Sequence, residues 1–411
     1  MSRDLDLVLY GATGYTGQVV AEYLLRHAPP TLKWAIAGRS ESKLQAVQMA
    51  LVAQGLPAAA ELPRIVASSD DEPALKKLAA RTTVVITTVG PYAKLGMALV
   101  RACATEGTHY VDLTGEVQFI RRSIDECDAI TQASGACIVH SCGFDSIPSD
   151  LGTLLLHQHF VDGGHGGLAR ATLYVDSMRG GISGGTAASA SSLFDDAAAS
   201  RYVRELVVDP YALSPDRETD RGPDRNDDPR AHFDQAIGKW TAPFVMAQVN
   251  TRVVRRSNAL LGYPYGKSFR YRERMVTKAG TKGMALARAT SLGLLGAVAL
   301  GSVAPGRALF RKLVPASGAG PTRAQREAGG FVITVRGEAT DGTSGAVRIV
   351  GKSDPGYGET ATMLAESALL LVSGATTRGV TTPAAALGLP LIERLRAAGM
   401  DWHPLCPEKS P

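Results

Sequence analysis

The chain has 411 residues, enough for two domains or for one large domain with an elaborate insertion. Its apolar content of 45% and charged content of 20% are typical of a soluble globular protein and exclude a disordered or fibrous chain. The net charge is a modest +5, and the five cysteines lack the spacing of a disulfide framework or a zinc site, so no metal is predicted. Because acids follow Arg3 at once, we predict no secretory signal and expect a cytoplasmic protein.

A glycine-rich turn follows the first apolar run of the chain, residues 6–10, and a helical pattern of apolar residues begins directly after it. The first glycine of such a turn permits a tight bend, the second lets a pyrophosphate approach the backbone at the helix N-terminus, and the third allows close packing of helix on strand. The spacing is G-x-x-G-x-x-G rather than G-x-G-x-x-G, so a turn without a ligand is the alternative. The predicted cofactor contacts in this turn are Gly11, Thr13, Gly14, Tyr15, Thr16 and Gly17.

The end of the second predicted strand, residues 32–37, indicates which dinucleotide binds. An NAD enzyme usually has Asp or Glu there to bind the ribose 2′-hydroxyl, whereas this chain has Arg39, Ser40 and Lys43. A guanidinium can pair with a 2′-phosphate and stack on adenine, so these residues favour NADPH. A surface arginine without a ligand is the alternative.

Strand and helix patterns alternate six times in the first 150 residues, which predicts an α/β fold with a doubly wound parallel sheet of the Rossmann type over residues 1–150. The β-branched run 82–88 is its fourth strand, which should end beside the first strand, where nicotinamide binds in this fold. Thr88, Val89, Gly90 and Pro91 are therefore predicted cofactor contacts, and Tyr92 could be held against the cofactor. A turn without ligand contact is the alternative.

Beyond residue 150 the pattern changes, which predicts a second α+β domain with a mixed or antiparallel sheet over residues 151–380. A loop near 214–232, rich in Pro, Asp and Arg, is predicted to be solvated. Residues 381–411 are predicted to add a C-terminal helix that packs back on the Rossmann domain. The predicted strands of the second sheet are residues 169–175, 244–254, 269–276, 330–336 and 345–351, and a helix is predicted over 360–372.

An apolar segment, residues 284–304, lies within the second domain and has basic residues around it. Its uninterrupted apolar stretch is too short for a confident membrane span, and its glycines lower helix propensity. Three alternatives stay open: a buried or homodimer-facing helix, a segment that rests on a membrane or a greasy substrate, and a true span. The second alternative would place the protein peripherally at the inner face of the membrane.

Five motifs occur together in this chain, at residues 11–17, 37–40, 87–92, 112–116 and 142–150. In this combination they resemble the saccharopine dehydrogenase-like oxidoreductases. Two further stretches, residues 251–258 and 381–386, narrow the resemblance to the trans-acting enoyl reductases known from mycobacterial polyketide-lipid assembly. The resemblance covers nearly the whole chain. It implies a Rossmann domain, NADPH, and reduction of a carbon–carbon double bond in a carrier-bound polyketide lipid precursor.

Basic residues are concentrated between residues 251 and 312, where thirteen Lys or Arg accompany a single acid, Glu273. This imbalance favours a partner of negative charge over general nucleic-acid affinity. An acidic acyl carrier protein or polyketide synthase fits, because complementary charge steers association. A solvated strand face is the alternative. The predicted docking residues are Arg252, Arg255, Arg256, Arg270, Arg272 and Arg274, of which the last three should share one face of a strand.

Enoyl reduction needs a hydride at the β-carbon, stabilisation of the enolate oxygen, and a proton for the α-carbon. Tyr92 could donate the proton or orient the ring, and Asp145 and Ser146 lie on a predicted strand-to-helix turn near the same edge. Asp112 and Glu116 are further polar groups at a strand end. Each could instead be structural, since Asp145 or Ser146 could cap the next helix, and water or the cofactor ribose could supply the proton.

Two other functions stay open. One is an NADPH-dependent reductase of an imine or amino acid, although such a substrate needs a polar cleft rather than a greasy segment. The other is a non-catalytic, membrane-associated binding protein with a Rossmann shell. The intact glycine pattern and Arg39 argue against it.

Overall fold

The computed structural model describes residues 3–180, 184–225, 227–313 and 320–408. Asn226, within the predicted loop 214–232, and the last three residues of the predicted C-terminal segment lie outside this description. The strands, in chain order, are β1 (Leu5–Tyr10), β2 (Trp34–Gly38), β3 (Arg64–Val66), β4 (Thr82–Thr87), β5 (His109–Asp112), β6 (Cys137–Val139), β7 (Leu168–Arg179), β8 (His232–Asp234), β9 (Lys239–Pro243), β10 (Arg270–Val276), β11 (Gly330–Ala339), β12 (Ser344–Gly351), β13 (Gly379–Thr381) and β14 (Asp401–Glu408).

Helices connect and cover these strands, and short irregular helical turns occur at Pro57–Glu61 and Pro355–Glu359. The α-helices are α1 (Tyr15–His27), α2 (Glu41–Ala53), α3 (Glu72–Ala80), α4 (Tyr92–Leu95), α5 (Met97–Glu106), α6 (Val117–Ser134), α7 (Ile147–Asp162), α8 (Gly184–Ala199), α9 (Arg201–Val208), α10 (Ala247–Leu260), α11 (Gly280–Ser302), α12 (Ala304–Leu313), α13 (Arg323–Glu327), α14 (Thr360–Val372), α15 (Pro383–Ala386) and α16 (Gly388–Ala397).

The first sheet, sheet A, has the strand order β13-β6-β5-β4-β1-β2-β3, and every described pair in it is parallel. Its central strands are apolar on both faces: Val84 and Ile86 of β4 belong to one core cluster, and Val85 between them belongs to the other. Because helices cover both faces of the sheet, the side chains on both faces of these strands must be apolar. The predicted doubly wound parallel sheet is therefore confirmed, and its strand order reverses between β1 and β4.

The second sheet, sheet B, is mixed and has the order β14-β12-β11-β7-β10-β9-β8. Strands β7 and β10 are parallel, and the other described pairs are antiparallel. One face of the sheet packs on α7, where Gly152 lies so close to Ile349 and Val335 that an added Cβ would come within 2.8 Å of the former. The opposite face carries the alternating residues of β10 that include Arg270 and Arg272. The predicted α+β domain with a mixed sheet is confirmed.

The chain does not divide at residues 150 and 380 as predicted, because its later part returns to sheet A. Helix α14 packs against β4 and β5, and β13 pairs with β6 at the edge of the parallel sheet. The predicted C-terminal helix is split into α15 and α16, which contact α7, and the chain then crosses to sheet B as β14. Sheet A is thus completed by residues far beyond the first 150.

One predicted strand of the second sheet is wrong. Residues 244–254 do not form a strand, since β9 ends at Pro243 and α10 begins at Ala247. The other four predicted strands correspond to β7, β10, β11 and β12, and the predicted helix over 360–372 is α14. The change of residues 244–254 from strand to helix alters the environment of three predicted docking arginines.

Candidate active site

The glycine turn between β1 and α1 has the geometry expected of a phosphate-binding loop. Gly11 has a φ of 93°, and a Cβ there would lie 2.7 Å from Thr88 Oγ1 and from Val89 Cγ2. A Cβ on Gly17 would lie 2.2 Å from the Gly11 carbonyl oxygen, so this glycine is required for α1 to pack on the turn. Gly14, the N-cap of α1, is exposed and a Cβ there would meet no atom closer than 3.5 Å. The exposed Gly14 therefore leaves room for a ligand at the N-terminus of α1, where a pyrophosphate binds in turns of this kind.

Arg39, Ser40 and Lys43 lie together at the carboxyl end of β2, as predicted. The Ser40 hydroxyl caps α2 by accepting from the Lys43 backbone N–H at 3.4 Å. Arg39 and Lys43 are exposed, and neither has an ion pair within the described part of the chain. Two free cations beside the glycine turn suit a 2′-phosphate.

Tyr15 is covered by a segment that sequence analysis did not connect with the glycine turn. Its hydroxyl donates to the Pro321 carbonyl oxygen, and Arg326 donates to Tyr15 Oη at 3.3 Å and to Glu22 Oε2 at 2.8 Å. The ring makes an edge contact with Tyr357 at 4.7 Å between centroids. Tyr15 therefore attaches the start of α1 to the later part of the chain, and its hydroxyl is not free for a phosphate.

The turn after β4, residues 88–91, is next to the glycine turn, as predicted. Thr88 Oγ1 donates to the Gly11 carbonyl oxygen at 3.1 Å, and the Gly90–Pro91 peptide bond is cis. Gly90 is exposed at this edge, and Thr88 and Val89 are partly exposed. This turn borders the cleft, by which we mean the space beside the carboxyl ends of β1, β4, β5 and β6.

Tyr92 does not lie in the cleft. Its side chain is buried against Phe119, and its hydroxyl donates to the Thr87 carbonyl oxygen at 3.2 Å. Burial raises the pKa of the phenol well above its ordinary value. The interpretation of Tyr92 as a proton donor is therefore wrong, since the hydroxyl is enclosed and its proton is already in a hydrogen bond.

Glu116 is buried and holds the turn that contains Tyr92. Its carboxylate accepts from the backbone N–H groups of Tyr92 at 2.9 Å and Ala93 at 2.8 Å, and from Ser189 Oγ at 2.6 Å. A carboxylate at the amides of a helix start is favourable, although burial raises its pKa. Glu116 thus connects the turn after β4 to α8 and is structural.

Asp112 is part of a buried polar chain rather than of the cleft. Its Oδ2 is 2.7 Å from His140 Nδ1, and His140 Nε2 is 2.9 Å from Ser123 Oγ. These three side chains have the order of a Ser-His-Asp triad, yet all are buried, with Asp112 and Ser123 fully enclosed. No substrate can reach the Ser123 hydroxyl, so the chain stabilises the turn after β6, where Asp112 Oδ1 also accepts from the Ser141 N–H.

Asp145 is an acidic residue at the border of the cleft. It lies in the turn between β6 and α7 and is partly exposed. A Cβ placed on Gly115 would lie 4.0 Å from Asp145 Oδ2 and 3.4 Å from Met246 Cε, so this carboxylate sits between the end of β5 and the start of α10. Within the described residues its carboxylate has no hydrogen bond or ion pair, and loss of solvent around the carboxyl raises its pKa to about 6. An unpaired carboxyl with such a pKa can hold and release a proton near neutral pH.

Ser146 is fully buried, and its side chain does not cap α7. Its hydroxyl donates to Asn250 Oδ1 at 3.0 Å, and Asn250 Nδ2 donates to Glu273 Oε2 at 2.9 Å. Glu273 also accepts from the Tyr271 hydroxyl at 2.9 Å, and burial raises its pKa to about 7. This buried network joins the turn beside Asp145 to α10 and β10.

The predicted docking role of Arg252, Arg255 and Arg256 is wrong, because all three are buried in α10. Arg252 binds Asp227 at 2.9 Å, Arg255 binds Asp224 at 2.9 Å, and both also donate to backbone carbonyls. Arg256 donates to the carbonyl oxygens of Leu213 and Val380. Their acids come from the predicted loop near 214–232, which is therefore a packed segment and not merely a solvated one.

The three arginines of β10 do not share one environment. Arg274 is buried, and its guanidinium donates to the carbonyl oxygens of Asp228 and Arg230. Arg270 and Arg272 are exposed on the outer face of sheet B, beside an open groove of about 760 Å³ that Arg170 and Arg336 also line. Of the six predicted docking arginines, Arg270 and Arg272 are thus the two that are exposed, on an outer face where Glu338 pairs with Arg170.

One helix of the described chain, Gly280–Ser302, is long and apolar enough to cross a membrane by length and composition, with a mean hydropathy of 1.5. Only 17% of its most apolar window is buried. The predicted segment 284–304 lies in this helix and the start of α12, so the alternative of a buried core helix is wrong.

Comparisons with known proteins agree with this geometry. A family model for the saccharopine dehydrogenase NADP binding domain matches residues 7–139. Trans-acting enoyl reductases of Mycobacterium bovis (strain BCG) and Mycobacterium leprae (strain TN) are each 40% identical to the chain, over 97% of this chain and 97% of the relative. A relative from Mycobacterium tuberculosis (strain H37Rv) is 42% identical over the same shares. Apo saccharopine dehydrogenase (L-Glu forming) from Saccharomyces cerevisiae has the same fold, with a TM-score of 0.53 and 13% identity over 98% of this chain and 100% of that one.

Proposed function

Since this chain belongs to the trans-acting enoyl reductases, within the saccharopine dehydrogenase-like oxidoreductases, we propose that its substrate is a carrier-bound polyketide or lipid precursor. The chain is an NADPH-dependent oxidoreductase that reduces a carbon–carbon double bond. The observation that supports the proposed site is the unpaired Asp145 carboxyl beside the carboxyl edge of sheet A. The reaction requires a turn that binds the dinucleotide and a group that donates a proton, and both must lie at the same end of the strands.

We assign the cofactor contacts to the glycine turn, the residues after β2 and the turn after β4. NADPH, when bound, supplies the hydride. The first amides of α1 would hold the pyrophosphate, and Arg39 and Lys43 would hold the 2′-phosphate. The turn after β4 would border the nicotinamide. The contacts predicted from the sequence in these three places are Gly11, Thr13, Gly14, Tyr15, Thr16, Gly17, Arg39, Ser40, Lys43, Thr88, Val89, Gly90 and Pro91, and Tyr15 contributes its backbone rather than its hydroxyl.

We assign the proton to Asp145. Hydride addition to the β-carbon leaves an enolate whose α-carbon must take a proton, and a protonated carboxyl in the cleft can donate it. Met246, the N-cap of α10, lies on the same side of Gly115 as this carboxyl and adds an apolar side chain to its surroundings. Asp145 replaces Tyr92 and Ser146 as the catalytic candidate, because the hydroxyls of those two residues are enclosed.

An amino-acid substrate is less well supported. Its carboxylate would need a free cation in the cleft, and the arginines of α10 that lie nearest in the chain to Met246 already bind Asp224, Asp227 and backbone carbonyls. The likeness to saccharopine dehydrogenase concerns the fold alone.

Replacing Arg39 by alanine is expected to raise the KM for NADPH roughly tenfold to a hundredfold, the value of one or two charged hydrogen bonds to a phosphate. The KM for NADH should change little, because NADH lacks the 2′-phosphate. Initial rates with both cofactors at saturating enoyl thioester measure this. The control is Arg81→Ala. Arg81 is exposed and precedes β4, so it lies at the amino-terminal end of the strands of sheet A, and its replacement should leave the KM values for NADPH and NADH unchanged. An equal change in the KM values for NADPH and NADH would show that Arg39 does not bind the 2′-phosphate.

The proposed substrate is tested by comparing a carrier-bound enoyl thioester with a short free one in NADPH oxidation. Mass spectrometry should show that the product gains two hydrogens, and a deletion strain should accumulate lipids that lack them. If the exposed arginines of β10 dock an acidic carrier, Arg270→Glu with Arg272→Glu should raise the KM for the carrier-bound substrate about tenfold and leave that for the free thioester unchanged. Equal effects on both substrates would reject the docking surface, and no NADPH oxidation with either substrate would reject the proposed function.

A further inference from the structure

The outward face of α11 is apolar, which reverses the usual pattern of a surface helix. The side chains that it turns toward the protein are small, namely Gly283, Ala287, Ser291 and Gly301. Its exposed side chains include small ones, such as Ala289 and Ala299, and large apolar ones, of which Leu292 is 69% exposed. Contiguous apolar surface of this kind marks an interaction site. The exposed members are Leu286, Leu292, Leu295 and Val298 of α11, Val303 in the turn that follows, and Leu309 of α12.

Lysine and arginine side chains lie around this apolar face, and the same stretch of sequence contains no acidic residue. Residues 289–306 contain no charged side chain, and no Asp or Glu occurs between Glu273 and Glu327. Lys278 and Lys282 lie exposed at the start of α11, Arg288 lies one turn further on, and Lys312 is exposed near the end of α12. Apart from Asp195 of α8, which binds Arg307, the charged residues named around this apolar centre are cations, and such a border is complementary to an anionic lipid surface.

A second copy of the chain is a poor partner for this face. Two identical patches that meet about a two-fold axis bring the same surface of both copies together, so the border of one patch faces the border of the other. The cations at the border of one patch would then meet those of the other, with no acid from the same segment to separate them. The charge pattern therefore argues for a surface of opposite charge.

Helix α8 joins the apolar face to the cleft. Gly301 of α11 packs on the ring of Phe194, which makes an edge contact with Phe310 of α12 at 5.4 Å. The adjacent Asp195 binds Arg307 at 3.4 Å. One and a half turns earlier, Ser189 donates to Glu116, which holds the turn after β4. A surface that contacts α11 is therefore one helix away from the turn at which the nicotinamide is expected.

We propose that α11 and α12 rest on the surface of an anionic lipid bilayer, with the leucines and valines in the outer acyl region and the lysines and arginines on the phosphate headgroups. The helices lie on the bilayer and do not cross it. This binding is a property of the folded chain and does not require turnover. Delivery of a lipid-like substrate to the cleft from that surface is the part that rests on the proposed function.

Sedimentation of the full chain with vesicles tests the proposal. The protein should bind vesicles that contain phosphatidylglycerol with phosphatidylcholine, bind phosphatidylcholine alone more weakly, and detach as salt is raised. Leu292→Gln with Leu295→Gln should weaken binding at least roughly tenfold. Lys278→Glu with Lys282→Glu should weaken binding to the anionic vesicles about fivefold for each cation removed. Met49→Gln, at a methionine that is 66% exposed on α2, is the matched control and should bind like the parent.

Three results would overturn the proposal. The first is equal binding to both kinds of vesicle, or none, by a parent protein that still oxidises NADPH with enoyl thioester. The second is a parent dimer that the leucine substitutions convert to a monomer, which would assign the face to a second copy. The third is an unchanged vesicle affinity of the leucine variant with a raised KM for a soluble long-chain thioester, which would assign the face to the substrate. Because sedimentation needs no turnover, failure of the lipid contact leaves the reductase function untouched.

Discussion

Replacing Asp145 by asparagine is expected to lower kcat for enoyl reduction by about a hundredfold to a thousandfold, the usual contribution of a positioned general acid. Asparagine has nearly the same shape but cannot release a proton. The parent enzyme must hold its proton on a group whose pKa is about 6, so its kcat should fall as pH rises through and above that value. The variant should lose this dependence. Steady-state rates across pH, with NADPH and a free enoyl thioester, measure both effects.

The control for this substitution is Asp150→Asn in the neighbouring helix α7. Asp150 is fully buried and its pKa is likewise raised, to about 7, but its carboxylate accepts from the Ala384 N–H and does not face the cleft. Its substitution should leave kcat close to that of the parent. Binding of NADPH should be unchanged in the Asp145 variant, which separates loss of the proton from loss of the fold. A kcat for that variant within about twofold of the parent would assign the proton to water or the cofactor ribose.

The dinucleotide half of the site could be predicted from sequence because its signals are local. Gly11 and Gly17 occupy positions where a Cβ would clash with Thr88, Val89 or the turn itself. Only glycine fits at such positions, so the spacing of the glycines can be recognised in the sequence. Asp71 before Pro73 likewise predicts the start of α3, and the Asp71 side chain accepts from the Ala74 N–H at 3.0 Å. Each of these features involves residues close in sequence or in adjacent strands.

The substrate half was predicted less well because its partners are distant in sequence. Arg252, Arg255 and Arg256 have the i, i+3, i+4 spacing of one helical face, which indicates α10 more than a strand. Their acids, Asp224 and Asp227, lie some thirty residues earlier, outside the segment whose local charge suggested a docking surface. A count of charges within one window cannot detect such pairs.

Contacts between residues that are distant in sequence also explain which features around the glycine turn were not predicted. Strand β13 has three residues and no periodicity to recognise, yet it completes sheet A beside β6. Pro321 and Arg326 reach Tyr15 from more than three hundred residues away. The cleft is therefore bordered by residues from across the whole chain, and the order of the strands could place near it only the turns that directly follow strands, such as residues 88–91 and the turn with Asp145.

Replacing Arg252 by methionine is expected to lower the free energy of unfolding by about 3 kcal/mol, because it breaks a buried ion pair by removing one partner. The guanidinium is almost fully buried, and besides Asp227 it donates to the carbonyl oxygens of Asp209, Val207 and Gln248. Methionine fills much of the same volume but leaves those acceptors without a donor.

The matched substitution is Arg272→Met on the outer face of β10. That side chain is 68% exposed and lies 3.8 Å from Asp234, so its loss should cost less than about 1 kcal/mol. Urea unfolding of both variants followed by far-UV circular dichroism, with NADPH absent, gives the two free energies. Equal small losses would mean that Arg252 is solvated in solution and free to meet a partner, whereas the expected difference assigns it to the packing of α10 against the segment that precedes β8.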